Sequence, residues 1–295
     1  MKLGFIGAGA MGMPMIRRLL AEHEVAVFDV APSRLRELEE AGARPAGTAA
    51  DAARDTEATI LMVASPDQLR DALHGPAGVA ESANPGSIVV IMSTVGSDAA
   101  ADAAARLGDR GIRTVDAPVT GGVVRAESGE LTLLLAGHAE DIAAIDPALR
   151  LLGTRRPVCG ERVGDGQAVK LVNQLLCTVH LVAAAEALSL ARALHLDAAA
   201  VLSVVETGAA GSFMLSDRGP RMLETDPPVL SAVDIFVKDA GLVADSARQA
   251  ALAVPVLEAA RSRILSAQLE GFGRSDDSCV IRTYAAAERA VGQDR

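Results

Sequence analysis

The residues best suited to chemistry open the chain. Gly7-Ala8-Gly9-Ala10-Met11-Gly12 spaces three glycines as GxGxxG. In that spacing Gly7 permits a tight turn, Gly9 lets the backbone approach a pyrophosphate, and Gly12 lets a helix pack close to a strand. The apolar run before the motif reads as a strand and the residues after it as a helix, the context in which it binds a dinucleotide. The helix N-terminus would turn N–H groups and positive dipole toward the phosphates. A glycine turn serving only packing is the alternative. Asp29 stands 22 residues after Gly7, where an acidic side chain accepts hydrogen bonds from the adenosine ribose. A 2′-phosphate would meet its charge, so NAD is expected in preference to NADP. Arg34 is near enough to soften that discrimination. Asp29 as a helix-terminal residue with no ligand is the bland reading.

Four further places carry polar groups suited to a reaction. In Thr120-Gly121-Gly122, successive glycines expose backbone N–H groups beside a hydroxyl, a nest for a substrate carboxylate; a mobile turn is the alternative. Arg125, just beyond, either meets a polyhydroxy acid or is an exposed helix arginine. Lys170 sits among Ala168, Val169, Leu171 and Val172, with Asn173 one helical turn on. Desolvation there would lower its pKa, and a neutral amine can take the proton of an alcohol that loses hydride to nicotinamide. A snorkelling surface lysine is the rival reading. His180 is read as structural. Ala64 and Ser65, and Thr94, follow apolar strands, at the ends where open parallel sheets bind ligands. Lys238 interrupts the apolar run 233–243, and the neighbouring Asp239 is read as a local structural partner.

These residues need a particular scaffold. Apolar runs at 2–6, 24–29, 58–63, 87–92, 113–117 and 131–136 read as strands buried on both faces. Helical patterns at 11–22, 32–41, 66–73, 97–107 and 139–152 lie between them. Such alternation predicts an α/β fold, an N-terminal Rossmann-type doubly wound parallel sheet. After Gly160 the pattern becomes all-α: a long helix over 168–195, then helices at 198–206, 234–253, 255–270 and 277–290. The expected domains are 1–162, binding the dinucleotide, and 163–295, helical, with the long helix bridging them and the site between. That helix is longer and more apolar than a small domain needs, which favours burial against a partner subunit.

Composition narrows the class. Of 295 residues, 50% are hydrophobic and 22% charged, which excludes disorder as the main state. The net charge of −10, without a basic cluster, argues against nucleic acid. Three widely spaced cysteines without a CxxC read as reduced thiols rather than a disulfide frame or metal site, and a cytoplasmic location is expected. The start MKLGFIGAGAMGMPMI is too rich in glycine for a signal peptide. No uninterrupted apolar run reaches ~18 residues, so no membrane span is expected.

GFIGAGAMGMPM, DAPVTGGVVRAESGELT (residues 116–132) and GERVGDGQAVKLVNQ (residues 160–174), in that order, resemble the three signatures of the β-hydroxyacid dehydrogenase family. That family includes 3-hydroxyisobutyrate dehydrogenases and tartronate semialdehyde reductases. GAAGSFMLSDRGPRML, SAVDIFVKDAGLVADSA and GRSDDSCVI look most like its L-threonate dehydrogenase branch. The resemblance implies Lys170 as the catalytic lysine and Asn173 as the residue orienting substrate. It implies Thr120, Gly121 and Gly122 as the acid-binding segment, although Ser is commoner than Thr at position 120. Cofactor contacts are implied for residues 7–12, Asp29, Ala64, Ser65, Thr94 and Lys238. The branch reading is loosened at Asn173, which is His in some threonate-branch relatives. Expected partners are a small hydroxy acid and a second copy of the chain, as a homodimer or homotetramer through the C-terminal helices; no metal is expected. Within the family, 3-hydroxyisobutyrate and tartronate semialdehyde or glyoxylate are alternative substrates. Imine reductases usually replace the lysine, and non-catalytic cofactor-binding members lose it, so Lys170 argues against both.

Overall fold

The structure, a computed structural model, describes residues 1–284. The chain packs as two compact units, Met1–Lys170 and the residues from Leu171 onward. The division falls eight residues beyond the glycine-rich boundary expected at 162.

The first unit begins with β1 (Lys2–Ile6), α1 (Gly12–Leu19), β2 (Glu24–Phe28), α2 (Pro32–Glu40), β3 (Arg44–Pro45) and α3 (Ala49–Ala53). Next come β4 (Ala58–Leu61), α4 (Pro66–His74), β5 (Ile88–Ile91), α5 (Ser97–Gly108) and β6 (Arg113–Asp116). It continues with β7 (Val119–Thr120), α6 (Gly122–Ser128), β8 (Thr132–Leu133), β9 (Leu135–Ala136), α7 (Ala139–Leu152) and β10 (Val158–Gly160). The main sheet has the order β10-β9-β6-β5-β4-β1-β2-β3. From β6 through β3 every pairing is parallel, and β9 joins β6 antiparallel.

Strand side chains alternate between two apolar layers, because successive residues of a strand point to opposite faces. Leu3 and Phe5 join Met15, Ile16, Leu19 and Leu149 on one face. Ile6, Leu61 and Ile91 join Leu69, Leu73 and Leu107 on the other. Both faces are covered, which is why these strands read as continuous apolar runs. Chain order reverses direction across β1, with β4 on one side and β2 on the other. The crevice beyond the carboxyl ends of these strands is where such sheets bind ligands.

The second unit is all-α among the described residues. It holds most of α8 (Asp165–Ala193), then α9 (Ala198–Val205), α10 (Phe213–Met222), α11 (Val233–Gln249) and α12 (Pro255–Ala267). Leu181, Ala185, Leu188, Phe236 and Ile264 form its core. A buried ion network ties α10 to the short 3₁₀ helix Asp277–Ile281: Arg218 reaches Asp277 at 3.1 Å and Arg221 reaches Asp276 at 3.0 Å. By length and composition α8 could cross a membrane, unlike the expectation from uninterrupted runs; 44% of its most apolar window is buried inside the protein. Its inward face also buries Gln174, Thr178 and Ser189, polar groups suited to a packed protein interior rather than to lipid.

Some elements differ from the sequence reading. The run 131–136 splits at Leu134: β8 pairs antiparallel with β7, and β9 enters the main sheet. The short strands β3, β7 and β10 and the helices α3, α6 and α10 are additions. Each is too short, or too rich in Gly, Pro or Ala, to show a period. The helix expected over 277–290 begins as a 3₁₀ helix, nucleated where Asp276 caps Ser278 N–H; its part from 285 on lies outside the described residues.

Candidate active site

The glycine loop joins β1 to α1. Gly7 has φ +99°, and a Cβ there would lie 2.3 Å from the Met62 carbonyl oxygen. At Gly12 a Cβ would lie 2.0 Å from the Gly7 carbonyl oxygen. These two glycines therefore serve packing. Gly9 differs: a Cβ there would meet nothing nearer than Arg34 Nη1 at 3.9 Å. Its open side is the approach a pyrophosphate needs. Met11, at the N-cap of α1, supplies no side-chain cap, and the first turn carries no acidic residue. The donors and dipole of that turn suit an anion. The loop thus fits a dinucleotide.

Asp29, buried at the end of β2, holds this loop in shape. Its Oδ2 accepts the Ala8 N–H at 2.6 Å and its Oδ1 accepts the Ala31 N–H at 2.8 Å. Each carboxylate oxygen can accept a second bond, so ribose hydroxyls can still be received. Arg34 Nη1 lies 3.7 Å from Oδ2, with its side chain 46% exposed. The guanidinium softens the charge, as its position in the sequence suggested.

The loops after β4 and β5 flank the crevice. Ala64 N–H donates to Gln68 Oε1 at 2.8 Å, while Ser65 Oγ accepts the Gln68 N–H at 3.1 Å and caps α4. The Ser65 side chain is thus a structural cap. Ser93 Oγ accepts from Val63 N–H at 2.7 Å and donates to the Leu61 carbonyl, fastening the two loops together. Thr94, beside it, is half-buried. Beyond β6, the β7–β8 ribbon carries Thr120 opposite Thr132. Gly121 and Gly122 follow at φ +136° and +72°, opening α6. The aliphatic stem of exposed Arg125 lies over Gly121, where a Cβ would come within 2.8 Å of its Cδ. Thr120, the Gly-Gly pair and Arg125 therefore form one surface.

The first turns of α8 are anchored in the first unit. Lys170, on its second turn, is 6% exposed. One turn earlier, fully buried Gln167 ties the loop of residues 93–96 to Asp116 at the end of β6. Its Oε1 accepts the N–H groups of Val95 and Gly96 at 2.9 and 3.1 Å. Its Nε2 donates to the Ser93 carbonyl at 2.9 Å and to Asp116 Oδ1 at 2.8 Å. Asp116 Oδ2 accepts the Gln167 N–H at 2.8 Å and the Gly164 N–H at 3.2 Å. Burial pushes the Asp116 carboxyl up to about 6, although the amide donors pull the other way. Both residues lie inside motifs conspicuous in the sequence, DAPVTGG and GDGQAVK. Their role there was not legible, because an internal polar pair has no signature until the two segments meet.

In the second unit, Asn173 donates to Gln174 Oε1 at 2.8 Å, and Gln174 Nε2 donates to Asp239 Oδ2. Asp239 also pairs with Lys238 at 2.8 Å. One polar chain therefore joins Asn173, Gln174, Asp239 and Lys238, and Asp239 is the structural partner expected of it. His180, on α8, is half-buried. The three cysteines are free thiols, and among the described residues no cluster of His, Cys, Asp and Glu could hold a metal ion.

Comparison with known proteins agrees with this arrangement. Residues 2–164 match the NAD binding domain of 6-phosphogluconate dehydrogenase, and residues 164–284 the NAD-binding domain of NADP-dependent 3-hydroxyisobutyrate dehydrogenase. The chain belongs to the β-hydroxyacid dehydrogenase family. It is 36% identical to an L-threonate dehydrogenase of Cupriavidus necator, over 97% of both chains. To an L-threonate dehydrogenase of Escherichia coli it is 34% identical, over 96% of this chain and 94% of that one. A crystal structure of a 3-hydroxyisobutyrate dehydrogenase from Salmonella typhimurium superposes with a TM-score of 0.89 at 35% identity, covering 96% of this chain and 99% of that one. As a β-hydroxyacid dehydrogenase, the protein is an oxidoreductase that acts on a CH–OH group with a nicotinamide dinucleotide.

Proposed function

We propose that this dehydrogenase oxidises L-threonate with NAD. The observation that carries the substrate is the near full-length similarity, at 33–36% identity, to five proteins named L-threonate dehydrogenase. The surface of Thr120, Gly121, Gly122 and Arg125 supports it, since a substrate bearing several hydroxyls gains most from a site rich in polar groups. Bound NAD would supply the hydride acceptor. Residues 7–12 and Asp29 would hold its adenosine diphosphate part; Ala64, Ser65, Thr94 and Lys238 would flank the rest.

The remaining work falls to side chains. Thr120 and the N–H groups at Gly121 and Gly122 bind the carboxylate, and Arg125 meets an outer hydroxyl or the acid. Lys170 takes the proton of the reacting hydroxyl. Asn173 donates to or accepts from the substrate and fixes which hydroxyl faces Lys170. 3-Hydroxyisobutyrate is the second reading, favoured by the likeness to the Salmonella protein, which is named a 3-hydroxyisobutyrate dehydrogenase. Steady-state kcat/KM with NAD for L-threonate, D-threonate, D-erythronate, 3-hydroxyisobutyrate and D-glycerate separates them. L-Threonate should win; a clear lead for 3-hydroxyisobutyrate or D-glycerate refutes the assignment.

The enzyme works in the cytoplasm as a homodimer or homotetramer in this reading. Val172, Leu176, Leu190 and Leu194 leave an apolar stripe exposed along α8 and its end, a face that a second copy would cover. Light scattering of the purified chain tests it, and a monomer at micromolar concentration would refute the assembly.

A further inference from the structure

Gln167 uses every hydrogen-bonding valence of its amide. Two backbone donors from the loop after β5 fix its oxygen. That leaves its nitrogen aimed at Ser93 O and at Asp116 Oδ1. Asp116 closes the circuit by accepting the backbone N–H groups of Gly164 and Gln167 at the start of α8. Ser97 Oγ adds a bond to the Gly164 carbonyl at 2.9 Å. Every direction in this circuit is determined: the amide cannot flip without facing its nitrogen at two N–H donors. The circuit joins the loop that carries Thr94, the strand end that leads to Thr120, and the helical turn before Lys170.

We propose that Asp116 and Gln167 are positioning residues for the dehydrogenase reaction, locking the Thr94 loop and the Lys170 turn into one register. The pair touches neither acid nor amine chemistry directly; it acts by holding the groups that do. Without it, the loop of residues 93–96 and the first turn of α8 become free to shift separately, and small misplacements of a reacting group are costly in rate. This inference rests on Lys170 acting as the base.

The test exploits the fixed directions. Asp116→Asn sets two amino groups face to face, and Gln167→Glu sets two carboxylate oxygens face to face. The double variant Asp116→Asn/Gln167→Glu reverses that one bond: the new amide donates to the new carboxylate, while Val95, Gly96 and Gly164 keep an acceptor. The bond to Ser93 O becomes two facing acceptor oxygens, the one unfavourable contact that the swap leaves. Each single variant should lower kcat on the order of 10- to 100-fold, with a smaller change in substrate KM. It should also speed hydrogen exchange at the Val95 and Gly96 amides. The double variant should regain at least half of the logarithmic loss in kcat and restore amide protection. A double variant no better than the worse single one, or singles with unchanged kcat and exchange, overturns the proposal. Exchange with and without bound NADH is read independently of turnover. If Lys170→Ala kept full activity, the base assignment would fail, while exchange in the swap series would still report on the circuit.

Discussion

The Asp29 carboxylate, at the end of β2, receives the Ala8 N–H at 2.6 Å and so fastens the turn between β1 and α1. The residue proposed to recognise ribose therefore also shapes the glycine loop proposed to hold the pyrophosphate. NAD should give the higher kcat/KM, because a 2′-phosphate would approach this carboxylate. Asp29→Ala should narrow the preference and weaken both cofactors, since the loop loses its anchor. Arg34→Ala should widen the preference by removing the guanidinium 3.7 Å from Oδ2. Higher efficiency of the wild type with NADP would sink this account.

Lys170→Ala should reduce turnover by on the order of 10²–10⁴, the usual range for a positioned acid–base group. NADH binding, followed by fluorescence, should change little, because Lys170 is assigned to the proton and not to phosphate. Near wild-type turnover would refute the role.

Asp116 makes stability depend on pH in an unusual sense. Its folded carboxyl titrates at about 6 against an ordinary 3.8. Between those values the folded protein keeps a proton that the unfolded chain has released, so the contribution is full below 3.8 and is lost as pH rises through 6. About two units correspond to roughly 3 kcal/mol. Denaturant titrations of wild type and Asp116→Asn from pH 4 to 7 should diverge, the wild type losing stability relative to the variant. Parallel curves would exclude the shift.

Arg221 faces two carboxylates whose side chains have no exposed surface, Asp276 at 3.0 Å and Asp277 at 3.6 Å. Arg221→Met would strip Asp276 of this partner and weaken the neutralisation of Asp277, at a cost of about 3–5 kcal/mol. Arg221→Lys should recover only part of that, because an ammonium cannot reproduce the planar fork. A melting temperature within a degree of wild type would show the network to be dispensable.

Much of the nucleotide-binding half was legible from residue order. The runs at 2–6, 24–29, 58–63 and 113–117 became strands within two residues of their ends, since burial on both faces makes a strand continuous in sequence. The glycine motif gave the loop and the direction of α1. What escaped depends on tertiary approach. Leu134 divides one apolar run between two sheets because its neighbours pair with different partners. In the sequence Ser65 stands out only for its place at a strand end; that its hydroxyl also caps α4 appears once Gln68, three residues later, donates to it. Gln167 and Asp116 are separated by 51 residues, and nothing local to either tells of the other.

The 29-residue span of α8 also sets a rule about length rather than identity. At ~100° per residue, one residue inserted between Gln174 and Leu181 turns everything beyond it by more than a quarter of a circle. Gln174 could then keep Asp239, or Leu181, Ala185 and Leu188 could keep the core, but not both. Substitutions on the outer face, at Val172 or Leu190, leave that phase intact. Working variants of this protein should therefore vary in composition on the exposed face of α8 while holding its buried residues and its count fixed. Gains and losses of residues should collect in turns such as 109–111 and 206–212, where no rotational phase is carried forward.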